Sequence, residues 1–262
     1  MLSHRERILD QFTRQAVPFS TAPGIRDPHA LEQLVVDSGV GPDDLVLDVA
    51  CGPGLVVAAF AAVAQQVTGI DLTPAMIARA RELTAEYANV RLDVGTVLPL
   101  PYADAAFTIV VSRFAFHHLE DPRAVLAEMV RVCRPGGCVL VCDLLASDDP
   151  RKAAGFHRME QLRDPSHVRA LTLDELRALF GTVSLPPPQL RQSQLAFELE
   201  GVLRRSFPHP GDVERIRAAY RASLEDDGLG LGTRRVGEEM HAAYPVATLW
   251  ARSGSTARAA LG

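Results

Sequence analysis

The stretch "VLDVACGPG", residues 46–54, is a run of buried-strand residues that reaches an aspartate and then turns through Gly52, Pro53 and Gly54. Glycine lets a backbone approach a ligand closely because no Cβ intrudes. Such a turn can cradle the phosphates of a dinucleotide, or hold a nucleoside-containing cofactor that has no phosphate. A dinucleotide loop needs G-x-G-x-x-G at the start of a helix. Here Gly54 is followed by Leu55, Val56 and Val57, and the third glycine is missing. Asp48 discriminates further. A carboxylate at the mouth of the site, four residues before the first glycine, would repel a pyrophosphate and suit a cationic ligand.

Around this turn, residues 45–145 alternate short apolar runs with helical patterns. "LVLDV" (45–49), "VTGID" (67–71), "VRLD" (90–93), "FTIVVS" (107–112) and "CVLVCDLL" (138–145) read as strands. Between them, 55–66, 72–88 and 121–133 read as helices, the last two opening with Thr73-Pro74 and Asp121-Pro122 as N-cap and first helical residue. "RPGG" (134–137) is expected to stop the third helix. Strands and helices at this spacing imply βαβ units and a parallel sheet covered on both faces. Residues 146–181 are polar and helical in pattern; "QLRQSQLAFELE" (189–200) and "YPVATLWARS" (244–253) read as strands, with a helical stretch near 211–226 between them. Residues 1–44 read as two helical segments around a flexible joint, "PFSTAPG" (18–24). The expected organisation is an N-terminal helical lid (1–40), a cofactor-binding Rossmann-like core (41–145), a helical substrate-cap insertion (146–185) and C-terminal strands that complete the sheet (186–262).

Composition bounds the function. Of 262 residues, 47% are hydrophobic and 23% charged, the profile of a soluble globular protein. The formal net charge of -5 argues against nucleic acid, whose phosphates demand excess Lys and Arg. "MLSHRERILDQF" has no apolar signal core, and no window is apolar enough to span a membrane. The four cysteines form no C-x-x-C pair and read as buried free thiols. The expectation is a cytoplasmic protein.

Asp71 ends the second strand, where an acid accepts hydrogen bonds from ribose hydroxyls. Two acids beside a shortened glycine turn favour a ligand with ribose, positive charge and no phosphate, and S-adenosylmethionine has all three. "VLDVACGPG", "VTGIDLTPAMIARAR", "LPLPYADAAF", "FAFHHLEDP" and "RVCRPGG", in that order, resemble the class I S-adenosylmethionine-dependent methyltransferases. They are similar in particular to the methyltransferase type 11 group, which includes the ubiquinone/menaquinone-biosynthesis enzymes. The resemblance spans about residues 40–145 and continues more loosely to the end. It implies an α/β, Rossmann-like, doubly wound seven-stranded sheet whose last strand is antiparallel.

The resemblance also implies roles. Asp48 lies near the methionine amino end, and Ala50, Cys51, Gly52 and Gly54 form the backbone bed. Asp71 binds the ribose, with Leu72 and Met76 packing on the adenine. Ser112, Arg113 and Phe114 line the cofactor after the fourth strand. Phe19, from the lid, closes over the site or serves as a packing anchor. The family's usual glycine is Ala50 here, and its adenine-contacting acid falls at Val94, with Asp93 one place early. Either a backbone N–H at Gly95 or Thr96 reads the adenine, or Asp93 reaches in.

Sulfonium methyl transfer needs alignment and exclusion of water, and a base only when the nucleophile must lose a proton. His117 and His118 follow the fourth strand on the ligand side and are the candidate bases, against capping or packing roles. His157, Glu160, Arg163, His167 and Arg169 recur at roughly helical spacing. They read either as a solvated face of ion pairs or as a substrate pocket for an anionic or phenolic group. No metal ligand set appears near the fourth strand. The expected function is methyl transfer from S-adenosylmethionine to an O, N or C atom of a small organic molecule, releasing S-adenosylhomocysteine. The alternative is a protein that binds the cofactor without methylating, as a cyclase or structurally. A dinucleotide oxidoreductase is disfavoured by Asp48. Nucleic-acid methylation is disfavoured by charge and by "RFAFHH" in place of an N/D-P-P-Y/F motif. Homodimerisation stays open.

Overall fold

The computed structural model describes residues 2–254, so the expected C-terminal unit runs past the described residues at its end. Strands β1 (Leu45–Val49), β2 (Gln66–Asp71), β3 (Val90–Val94), β4 (Phe107–Arg113), β5 (Cys133–Leu144), β6 (Gln189–Glu198), β7 (Arg234–Val236) and β8 (Glu239–Arg252) form one sheet. Its order is β3-β2-β1-β4-β5-β8-β6, with β7 paired to β8 off this path. The first five strands are mutually parallel, and β8 runs antiparallel to β5 and β6. The expected seven-stranded path is present, and the short β7 makes an eighth strand.

Helices α1 (His4–Thr21), α2 (Pro28–Ser38), α3 (Leu55–Ala61), α4 (Pro74–Leu83), α5 (Pro122–Val132), α6 (Pro150–Arg163), α7 (Leu173–Thr182), α8 (Leu199–Ser206) and α9 (Val213–Asp226) surround the sheet. Successive strand residues feed opposite faces. Val46, Ile109, Leu140 and Cys142 pack with Val57 and Phe60 of α3 and Phe156 of α6. Leu47, Val110, Val139 and Val141 pack with Leu126 and Met129 of α5 and Phe180 of α7. The central strands are therefore apolar at nearly every position, and each such buried side chain contributes about 1.5–3 kcal/mol. The four cysteines are buried free thiols.

Three local expectations change. α1 continues through Pro18 to Thr21, so the joint shrinks to the residues after the helix and Phe19 stands on a helix. "RPGG" is not a separate stop: β5 begins at Cys133, directly after α5, and its register with β4 shifts between Phe107 and Ile109. α8 follows β6 at once, where the sequence reads as strand to residue 200; the Glu198 carboxylate caps it by accepting from the N–H groups of Glu200 and Gly201.

The strand order reverses at β1, which has β2 on one side and β4 on the other. Open α/β sheets bind ligands at such a switch point, beyond the carboxyl ends of the strands. Gly54 holds α3 against α4 there. At φ +86° it is left-handed, and an added Cβ would lie 2.8 Å from Ala80 Cβ. Gly54→Ala should lower the unfolding free energy by roughly 2–4 kcal/mol, from backbone strain plus overpacking. Gly52→Ala, whose Cβ meets nothing within 4 Å, should lose only the backbone part, about 1–2 kcal/mol. Urea unfolding of the pair checks this, and equal losses would contradict it.

Candidate active site

The turn after β1 is strained toward the ligand side. Ala50 has φ 58° and Gly52 φ 51°. For alanine the left-handed region costs about 1–2 kcal/mol, which explains a family preference for glycine at this place. The Cys51 N–H donates to the Ile70 carbonyl (2.9 Å), tying the turn to β2. Asp71 organises the other side: its Oδ2 accepts from the Gly52 N–H (2.9 Å) and its Oδ1 from the Thr73 N–H (2.8 Å).

Asp48 is 1% exposed, and its Oδ2 is buried with no hydrogen-bond partner among the described residues. Burial first, then the nearby Asp71, push its carboxyl well above the ordinary value, and Arg113 opposes them. Burial also raises Asp71, against the N–H donors of Thr73 and Gly52. An orphaned buried carboxylate oxygen on a cavity wall fits a ligand that brings a cation.

That cavity encloses about 420 Å³. Asp48, Ala50, Cys51 and Gly52 floor it beside Asp71, with Leu72 and Met76 on one wall. Arg113 and Phe114 form the wall after β4, the guanidinium 4.3 Å over the phenyl ring. Phe19 enters from α1. Gly54 and Ser112 stand behind the wall; the Ser112 hydroxyl donates to the Val49 carbonyl (2.9 Å) and braces β1 against β4. Val94 is 51% exposed and outside the lining, and the Gly95 N–H donates to the Asp71 carbonyl (2.9 Å). Thr96 does line the cavity, followed by Val97 and Leu98. Asp93 does not; its carboxylate takes the Tyr102 hydroxyl (2.9 Å) and the Arg91 Nε–H (3.2 Å). Sequence reasoning missed the α1 face made by His4, Ile8 and Phe12, which closes the cavity. Their spacing of four was its signal.

The histidines gather beyond Phe114. The His117 Nδ1–H donates to Asp143 Oδ1 (2.5 Å), and the His117 backbone N–H donates to Asp143 Oδ2 (3.1 Å). Burial acts to lower the His117 pKa, but the charge and hydrogen bond of Asp143 outweigh it, and the net shift is upward. His118 lines the main cavity, and its Nδ1–H donates to the Ser166 carbonyl (3.1 Å). Burial and then His117 push it down to about 4. Asp143, on β5, was not singled out from sequence.

The cluster on α6 is not a solvated face. Glu160 is 0% exposed. Its Oε2 takes Nε (2.9 Å) and Nη2 (2.5 Å) of Arg163, and its Oε1 takes the Tyr244 hydroxyl (2.9 Å). Arg163 Nη1 donates to Ser206 Oγ (2.9 Å). Every donor group of Arg163 toward this network is engaged, which makes it a strut between α6, α8 and β8. His157 and His167 share a hydrogen bond of 3.1 Å. His167 is pushed down by burial first and then by His117 and His118. Glu160, His157 and His167 do not line the cavity. Among the described residues, no three His, Cys, Asp or Glu side chains are grouped to hold a metal, and no helix is long and apolar enough to cross a membrane.

Asp48→Asn tests the orphaned carboxylate. A raised folded-state pKa means that the folded chain keeps a proton which the unfolded chain, near pKa 3.9, releases; stability therefore falls as pH rises from about 4 through the folded pKa. Asp48→Asn should be at least as stable as the parent when ligand-free, with an advantage that grows over that pH range in thermal unfolding. An advantage independent of pH would contradict this.

A family model described as "Methyltransferase domain" matches residues 47–141. The uncharacterized methyltransferase YcgJ of Bacillus subtilis (strain 168) is 33% identical over 172 residues, covering 65% of this chain and 68% of that protein. The demethylmenaquinone methyltransferase of Staphylococcus aureus (strain JH9) is 37% identical over 195 residues, covering 71% and 76%. The crystal structure of B. subtilis YcgJ superposes with a TM-score of 0.81 at 25% identity, over 87% of this chain and 99% of that one. With the switch-point turn, its two acids and the sheet order, these similarities establish that the chain belongs to the class I S-adenosylmethionine-dependent methyltransferases.

Proposed function

We propose that this enzyme transfers the methyl group of S-adenosylmethionine to an O, N or C atom of a small organic molecule. The observation that carries the reading is the buried, unpartnered Asp48 Oδ2 on the wall of a 420 Å³ cavity. Asp48 would hold the cationic methionine amino end. Ala50, Cys51 and Gly52 would bed the ligand along their backbone. Asp71 would take ribose hydroxyls with its remaining lone pairs, since a carboxylate offers about four acceptor sites and two are used. Leu72 and Met76 would pack on the adenine, with Thr96 at its edge. When bound, the cofactor supplies an electrophilic sulfonium methyl, so the chain's own task is alignment, dryness and proton removal.

His117, outside the lining of the main cavity but with its ring 4.2 Å from that of His118, is the proton acceptor in this reading. Asp143 fixes its Nδ1–H, which leaves Nε2 as the basic atom, and Asp143 stabilises the imidazolium once the proton has moved. His118, neutral at pH 7, lines the main cavity and orients the acceptor group there. α1 acts as the lid: His4 Nε2–H donates to the His118 carbonyl (2.7 Å), and Arg79 Nε–H of α4 to Ser20 Oγ (2.9 Å), so closing α1 seals the cavity from water.

Release of S-adenosylhomocysteine across a panel of phenols, amines and quinols tests the reading. His117→Gln should lower kcat by roughly 10²–10⁴-fold with cofactor binding retained. Because the His117 pKa is raised and only neutral His117 accepts a proton, the activity limb should rise with pH above about 6.5, and Asp143→Asn should move it down. Cofactor binding with no product on any acceptor would instead support a protein that holds the cofactor without methylating. An unchanged kcat in His117→Gln would remove it as the base.

A further inference from the structure

Beside the main cavity lies a smaller chamber of about 90 Å³. The two share a wall made by Phe12, Phe19, Ile25, Phe114 and His118, so the chamber adjoins the place where the methyl acceptor would sit. Its far side is polar, with Gln15, Arg163, Asp164, Arg205, Ser206 and Tyr244.

Nearly all of these groups already have partners. Arg163 is held by Glu160 and Ser206, and Tyr244 donates to Glu160. Gln15 Nε2–H donates to the Ser206 carbonyl (3.4 Å). Asp164 Oδ1 takes both the Ser166 N–H (2.9 Å) and its hydroxyl (2.5 Å). His117, on the same wall, is held by Asp143. Arg205 is the exception. It is half-buried, yet among the described residues its guanidinium has neither a hydrogen bond nor an ion pair. Glu198, the acid near it on the sheet edge, caps α8 with its two oxygens and pairs at 3.6 Å with the neighbouring Arg204. Burial pulls the Arg205 pKa down, with the like charges of Arg163 and Arg204, and outweighs Tyr244 and Glu198, which act the other way. A cation left in this way is costly until an anion joins it.

We propose that this chamber is a recognition subsite for a carboxylate-sized anionic group of the methyl acceptor, bound by Arg205. The inference rests on the methyltransferase reading of the main cavity and adds the class of substrate to it. The chamber, about 90 Å³, has room for a carboxylate. The chemistry also suits it. A planar guanidinium can grip a carboxylate through two parallel N–H···O bonds. A neutral isostere would leave the Arg205 donors unmatched in a half-buried site, which is how a polar site rejects an analogue. Acidic substrates anchored here would present an acceptor atom at the wall that carries His118, beside His117, which lines the chamber.

The test uses benzoate and benzamide as probes, titrated calorimetrically into the full-length protein with and without saturating S-adenosylhomocysteine. Benzoate should bind about tenfold tighter than benzamide or more. Arg205→Gln should bring the two probes within about twofold of each other, and Arg205→Lys, which keeps the charge but not the fork, should fall between. Arg204→Gln, one position along and paired with Glu198, should leave the preference intact. Equal binding of the two probes to the parent protein overturns the proposal, as does a preference that survives Arg205→Gln. Failure of S-adenosylhomocysteine to bind would count against the cofactor reading instead, and the titrations without it would still read the chamber.

Discussion

Two carboxylates that both resist ionisation, Asp48 and Asp71, stand at the ends of neighbouring strands, and the site is arranged around them. The sheet makes this possible. β1 and β2 run parallel in register, with Asp48 opposite Gly69, so the strand ends bring the acids to one rim at the switch point. Asp71 is satisfied from within by the N–H groups of Gly52 and Thr73, and thereby sets the turn. Asp48 is left with an orphaned oxygen. Burying such a group reduces stability unless a ligand supplies the opposite charge. The ligand-free fold therefore carries a strain that the proposed cationic ligand would relieve, and that difference between free and bound states would be a source of affinity.

A second constraint closes the molecule from the other side. Glu160, Arg163, Tyr244 and Ser206 join α6, β8 and α8 through buried, charge-assisted hydrogen bonds. Gln11 and Gln15 of α1 reach the Ser206 carbonyl, so the helix over the cavity is bound to the same network. Removing Glu160 or Arg163 would leave a buried charge without its partner, a loss of about 3–5 kcal/mol. The network thus serves position more than chemistry: it fixes the wall against which α1 packs and the chamber that Arg205 faces.

The core strands were legible in the sequence because their apolar character is continuous, and both faces of the sheet are covered. The helix starts at Pro74 and Pro122 were legible because proline at the first helical position is a local signal. What failed to show was set by distant partners. The α6 charges have the spacing of a solvated face, and only Tyr244, 84 residues away, reveals that they are buried. Asp143, 26 residues from His117, has no local pattern that marks it as a partner. α8 was hidden because its cap is a glutamate at the end of a strand. Pro18 read as a joint, yet α1 accommodates it near its C-terminal end. In the site, the two acids and the turn could be placed from motif order, whereas the adenine edge could not, because Asp93 is tied to Tyr102 and Arg91.

The central claim is that Asp48 is a buried acid held for a cation. The ¹³C NMR titration of its carboxyl, without ligand and with saturating S-adenosylmethionine, addresses that claim most directly. The account predicts a pKa well above the usual carboxylate range in the free protein and a return toward that range, or below it, when the ligand binds. An ordinary pKa in the free protein, or a raised one that binding leaves in place, would contradict it.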